Sequence, residues 1–145
     1  RNMNNLAATL FAQGDLAGAQ EMQDGVLEVH RRVLGPEHPD TLTSQNNLAG
    51  TLFAQGDLAG ARALEEGVLE ACRRVLGPDH PDTLTSQNNL AHTLFRMNEP
   101  AQALALMIEV VPGRTKVLGP RHPDTQDAAA FLAKLQAVVA VQPQS

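Results

Sequence analysis

The sequence predicts an all-α repeat array, and three observations carry that prediction. A 42-residue unit recurs: Asn4–Gln45 and Asn46–Gln87 agree at 33 of 42 positions, and Asn88–Ala129 agrees with the middle copy at 20. Inside each unit, two apolar patterns of helical period flank a short turn, built on Gly14, Gly56 and Asn98 in the three copies. Between units the same linker returns, as LGPEHPDT, LGPDHPDT and LGPRHPDT. A fixed period of this size, in which each unit covers its neighbour's apolar face, is the signature of a solenoid.

The middle unit justifies its elements in order. Its first helix is expected from about Asp40 to Gln55: Leu42, Leu48, Ala49, Leu52 and Phe53 share one arc at ~100° per residue, and Thr43, Asn47, Gly50 and Ala54 share another. Gly56 supplies a left-handed stop and Asp57 an N-cap. Asparagine tolerates the same conformation, so Asn98 keeps the turn in the third unit. The second helix is expected from about Leu58 to Leu76, with Ala61, Leu64, Val68 and Leu69 inward and Val75 and Leu76 closing it. Arg73 and Arg74 in its last turn suit the helix dipole, and Gly77-Pro78 ends it. Gly67 sits mid-helix at a cost of up to ~1 kcal/mol relative to alanine and is expected to face solvent. Pro81 then suits the first turn of the next helix, with Asp82 beside its positive end.

The third unit departs from its siblings. Pro100 at a helix start is harmless, but Pro112-Gly113 replaces Glu28-Val29 and Glu70-Ala71 deep in the second helix, where a kink or break is expected. A seventh helix, from Asp124 to about Val141, covers the last unit, and residues 142–145 are expected to be a disordered tail. The whole therefore reads as one array over residues 1–141, with units at 4–45, 46–87 and 88–129 and a covering helix at about 124–141.

Composition limits the function classes. Among 145 residues, aromatics make up only 3%, with no Trp or Tyr, so Leu and Ala carry the packing. A net charge of −5 argues against nucleic acid, which needs clustered Lys and Arg. A single cysteine, Cys72, excludes an intrachain disulfide and fits a reducing, cytoplasmic setting. No stretch is apolar over the ~18 residues a membrane span needs. The start at Arg1, inside the repeat period, looks like a cut from a longer protein.

The order Leu48-Ala49, Leu52, Gly56, Leu58, Ala61, Leu64, Val68 resembles a tetratricopeptide (TPR) repeat, whose usual period is ~34. The 42-residue length, the NNLA start and the LGPxHPDT linker resemble the longer subclass found in kinesin light chain and nephrocystin-3-like proteins, in the style of bacterial arrays of near-identical copies. The resemblance spans Asn2 to about Leu135. It implies a right-handed superhelix of helix pairs, a TPR-like α-solenoid, whose first helices line a concave groove that binds a peptide or protein partner.

Candidate chemistry reduces to structure at most positions. His-Pro-Asp recurs at His38, His80 and His122; J domains carry that triplet once, whereas here it opens every first helix. Neighbouring copies at a helix-packing distance of ~8–10 Å cannot share one metal, so no metal site or cofactor is expected. Ser44 and Ser86 have no neighbour that marks either as an activated nucleophile, and no phosphate loop exists, so the chain is not expected to be an enzyme. Cys72 aligns with His30 and Arg114 and is expected to be a semi-exposed, incidental thiol.

The candidate binding residues lie on the polar arc of the first helices: Asn5, Thr43, Asn47, Thr85, Asn89, His92 and Arg96. Asparagine offers both donors and an acceptor to a peptide backbone, and Arg96 offers a fork to a carboxylate. Asn4, Asn46 and Asn88 point nearer the next helix and are expected to be structural. The alternative function is an architectural spacer or self-association module of a larger signalling protein, with copies joined through exposed ends at Leu6, Ala7, Leu10 and Phe11.

Overall fold

Every linker glycine and turn residue does what the repeat requires of it, and the helices follow from those stops. A computed structural model describes residues 9–141. Residues 9–12 are helical, and six longer helices follow: α1 (Leu16–Leu34), α2 (Pro39–Ala54), α3 (Leu58–Val75), α4 (Pro81–Arg96), α5 (Pro100–Leu118) and α6 (Pro123–Val141). The fold is all-α, and no strand occurs among the described residues. Helices α2 and α4 are first helices of a unit; α1, α3 and α5 are second helices. Helix α6 begins at Pro123, in register with Pro39 and Pro81, and is a first helix by position.

Two kinds of positive-φ residue punctuate the chain. Within a unit the turn residues are Gly14 (φ 83°), Gly56 (φ 85°) and Asn98 (φ 64°), so asparagine does substitute there. Between units they are Gly35, Gly77 and Gly119, with φ of 97°, 95° and 92°. Gly35 and Gly119 pair that φ with ψ near 160° and 158°, a region essentially closed to side chains, which is why glycine never varies in the linker.

The linker histidines are helix caps. His38 Nδ1 accepts from the Asp40 amide at 3.1 Å, and His80 and His122 accept from the Asp82 and Asp124 amides at 3.0 Å. Thr41 and Thr83 donate back to the Gly35 and Gly77 carbonyls at 2.7 Å, closing the loop over the proline. At second-helix starts, Asp15 and Asp57 accept from the Gly18 and Gly60 amides at 2.9 and 3.0 Å. A Cβ on either glycine would lie within 2.6 Å of that carboxylate, so the cap and the small residue are one device. The third unit gives it up: Glu99 makes no side-chain cap, and Pro100 opens the helix instead.

Contacts divide the chain into two compact units, Arg1–Ala71 and Cys72–Ser145. In the first, Leu27, Leu48, Ala49, Leu52 and Ala61 form the core, with Phe53 and Leu64 against it. Each fully buried leucine stabilises the fold by roughly 1.5–3 kcal/mol. Two side-chain bonds join α1 to α2: Thr51 Oγ1 donates to Gln23 Oε1 at 2.6 Å, and His30 Nδ1 meets Ser44 Oγ at 2.7 Å. Gly67 is exposed, as expected.

In the second unit, Leu84, Leu90, Ala91 and Leu94 of α4 and Ala103, Met107 and Val110 of α5 are buried, with Ala128 and Leu135 of α6. Helix α5 runs through Pro112 without a break. Proline removes only the bond to the Ile108 carbonyl, and both residues are exposed, so solvent can take that acceptor. Gly113 beside it is buried, and an added Cβ would lie 2.8 Å from Leu84 Cδ2; the glycine lets α5 approach α4.

Two further expectations are corrected. Cys72 is buried, 3% exposed, with Sγ 3.8 Å from Ser86 Oγ, because its position faces the following first helix rather than solvent. Burial pushes its thiol pKa up, against a smaller lowering by the Ser86 contact. Val75 is 50% exposed and closes nothing; Leu76 is half-buried. The expected N-terminal patch is only partly visible: Leu10 is half-buried and Phe11 is exposed, while Leu6 and Ala7 lie outside the described residues, as does the tail at 142–145.

Candidate functional site

The polar arcs of α2 and α4 remain largely in solvent while their neighbours are buried. On α2, Thr43, Asn47, Gly50 and Ala54 are exposed between the buried Leu42, Ser44, Leu48 and Leu52. On α4, Thr85, His92 and Arg96 are exposed and Asn89 is half-buried. Asn5 lies outside the described residues. Asn46 and Asn88 are half-buried, and the enclosed Oδ1 of Asn46 has no hydrogen-bond partner.

Helix α6 adds residues that sequence reasoning missed. The His92 ring stacks on Phe131, with centroids 4.0 Å apart and planes 3° apart. Phe95 meets Phe131 edge-on at 5.8 Å, and Lys134 Nζ stands 4.9 Å from the Phe95 centroid. Phe131 and Lys134 follow Asn89 and His92 by one 42-residue period, so the repeat register itself was the signal that could have found them. Reading α6 only as a cover hid it. The His92 imidazole is held below its usual range, chiefly by burial against this stack and then by the Arg114 and Lys134 charges.

Among the described residues, the side chains that could suggest catalysis are engaged in structural roles. His30 and Ser44 are within hydrogen-bond distance, but Ser44 is 2% exposed, and the next unit replaces the pair by Cys72 and Ser86. A hydroxyl sealed between helices cannot reach a substrate; the pair is a seam. The capping histidines each serve their own helix, and no group of three potential metal ligands occurs among the described residues.

Fold and stripe define a helical-repeat protein whose first helices keep one face in solvent. A family profile described as tetratricopeptide repeat matches residues 1–66 and 43–116, and the chain belongs to that family. A putative kinesin light chain from Podosopora anserina with nearly identical TPR-like repeats is 27% identical, with a TM-score of 0.81 over 100% of this chain and 77% of that one. A variant of the same protein gives 0.82 at the same identity, over 100% and 76%. BtubC (BKLC) from P. vanneervenii shares the fold at 17% identity, with a TM-score of 0.85 over 95% of this chain and 55% of that one. No curated protein matches. Repeats of this family generally mediate protein–protein interaction, and the fold is typically non-catalytic. Among the described residues no helix is long and apolar enough to cross a membrane.

Proposed function

We propose that the chain is a non-catalytic interaction module of a reducing, cytoplasmic compartment, and that a peptide or partner domain docks on the stripe formed by α4 and α6. The observation that carries this reading is the aromatic and cationic surface at His92: the Phe131 stack beneath it, Lys134 beside Phe95, and the exposed Arg96 one turn along the same helix. Such a surface takes an acidic side chain or a C-terminal carboxylate, while Asn89 holds the adjoining peptide backbone. On α2 the stripe offers Thr43 and Asn47 with the short Gly50 and Ala54, which leaves room without charge.

A peptide-library screen tests the reading. Acidic binders are expected, and Arg96→Ala should weaken them by ~1.5–3 kcal/mol, the range for a bond to a charged group. Gln20→Ala, on a second helix, should leave them unchanged. A screen that returns only basic or neutral binders overturns the assignment. The blandness of the α2 stripe favours a second reading, a spacer or self-association module; that reading requires concentration-dependent mass in light scattering and no peptide binders.

A further inference from the structure

Arg114 is the most deeply buried cation among the described residues, 9% exposed, yet its one hydrogen bond is to a backbone carbonyl: NH1 donates to the Asp124 oxygen at 3.1 Å. A guanidinium carries five donors, and those that bond nothing in the protein are left to face the cavity and solvent. It lines a cavity of about 110 Å³ between the start of α4, the end of α5 and the start of α6. Pro81, Leu84 and Val117 make the walls apolar, and Thr85 adds a hydroxyl. Residues in the first turns of two helices, Pro81 of α4 and Asp124 of α6, also line it, so the positive ends of two helix dipoles lie nearby. Asp124 lines it with its carbonyl bonded to Arg114 and its side chain 60% exposed, and a monoanion balances the single guanidinium charge.

We propose that this cavity is a carboxylate site, in which the free edge of Arg114 pairs with a carboxylate and the apolar walls receive its aliphatic stem. The equivalent residues His30 and Cys72 make side-chain contacts to Ser44 and Ser86; Arg114 faces Ala128 in that register and has no such partner. The cavity shares only Thr85 with the surface stripe, so the inference stands apart from the peptide reading above.

The test follows the Arg114 side-chain Nε–H resonance of the full chain by NMR at constant ionic strength. Butyrate is expected to shift it saturably, with half-saturation at ~1–10 mM, while chloride alone does not. Val117→Glu, at an exposed position on the rim, supplies an internal carboxylate; butyrate should then lose its effect, and His92 should titrate at higher pH because the Arg114 charge is neutralised. Arg114→Gln should abolish the response of the remaining cavity resonances. N-acetylvaline against its amide separates sources: binding of the acid at least tenfold tighter than butyrate assigns the site to a chain terminus, and equal binding assigns it to a free acid or an acidic side chain. No saturable shift, an equal shift with chloride, or a shift that persists in Val117→Glu overturns the proposal.

Discussion

Helix α1 meets α2, and α5 meets α6, in the same register of the repeat, yet the two seams use different chemistry. At the first, Gln23 bonds Thr51 and His30 bonds Ser44. At the second, the equivalents of Gln23 and Thr51 are Met107 and Leu135, both fully buried, and the equivalents of His30 and Ser44 are Arg114 and Ala128. At the Gln23 position both partners change together, because a buried polar group without its mate costs more than either matched pair; at the His30 position Arg114 has Ala128 opposite it and bonds the Asp124 carbonyl instead. The backbone frame is held by stops common to all copies, so the seam chemistry is free to vary.

Crossing the two seams should give the largest effect. Leu135→Thr puts the polar seam's residue opposite Met107, leaving a cavity and a hydroxyl with no side-chain partner across the seam. A loss of ~2–4 kcal/mol is expected by chemical denaturation. Adding Met107→Gln should recover part of it, since the Gln23–Thr51 bond shows the pair fits this register. A neutral Leu135→Thr would mean that the seams are not distinct.

A smaller loss is expected where the second unit is tightest. Gly113→Ala drives a methyl against Leu84, and overpacking of this kind costs ~1–3 kcal/mol. If the thermal midpoint does not fall, the close approach of α5 to α4 is softer than the 2.8 Å contact implies.

Next comes the polar seam itself. Gln23→Ala should cost only ~1 kcal/mol, because Thr51 Oγ1 retains the Asn47 carbonyl at 3.3 Å as a second acceptor. The double replacement Gln23→Met with Thr51→Leu should be close to neutral, since both polar partners leave together. A double-mutant cycle that gives no coupling between Gln23 and Thr51 breaks the account of matched pairs.

The punctuation was legible in the sequence, and the seams were not. Gly56, Asn98, Gly77 and the His-Pro-Asp triplets act through their own backbone or the next few residues, so spacing alone located the helices to within a residue or two. The stripe was legible for the same reason: Thr43, Asn47, His92 and Arg96 lie where helical period places them. Cys72 was misjudged because its burial depends on Ser86, fourteen residues on and in another helix. Phe131 escaped because its role depends on His92 across a helix pair. At Pro112, where the sequence predicts a kink or a break, α5 does not break, since one missing bond on an exposed face does not overcome the packing of Val110 and Gly113.

The smallest effect, and the one of opposite sign, is at Gly67. It looks like Gly113 in sequence, a glycine well inside a second helix, but its surroundings differ. A Cβ at Gly67 would meet only Gln45 Nε2, at 3.8 Å, an ordinary contact, and the residue is exposed. Nothing in the first unit needs the missing side chain, while the unfolded chain gains freedom from it. Gly67→Ala should therefore stabilise by ~0.5–1 kcal/mol, raising the midpoint by about 2–4 °C. The second unit shows a further step at this register: Glu109 replaces the glycine, accepts from Gln87 Nε2 at 2.8 Å and stands 3.4 Å from Arg73. Gly67→Glu should bring the same bond to Gln45 and stabilise at least as much as alanine does. A lower midpoint for Gly67→Ala would show that this glycine, like Gly113, is held by packing, and the contrast between the two units would fail at this position.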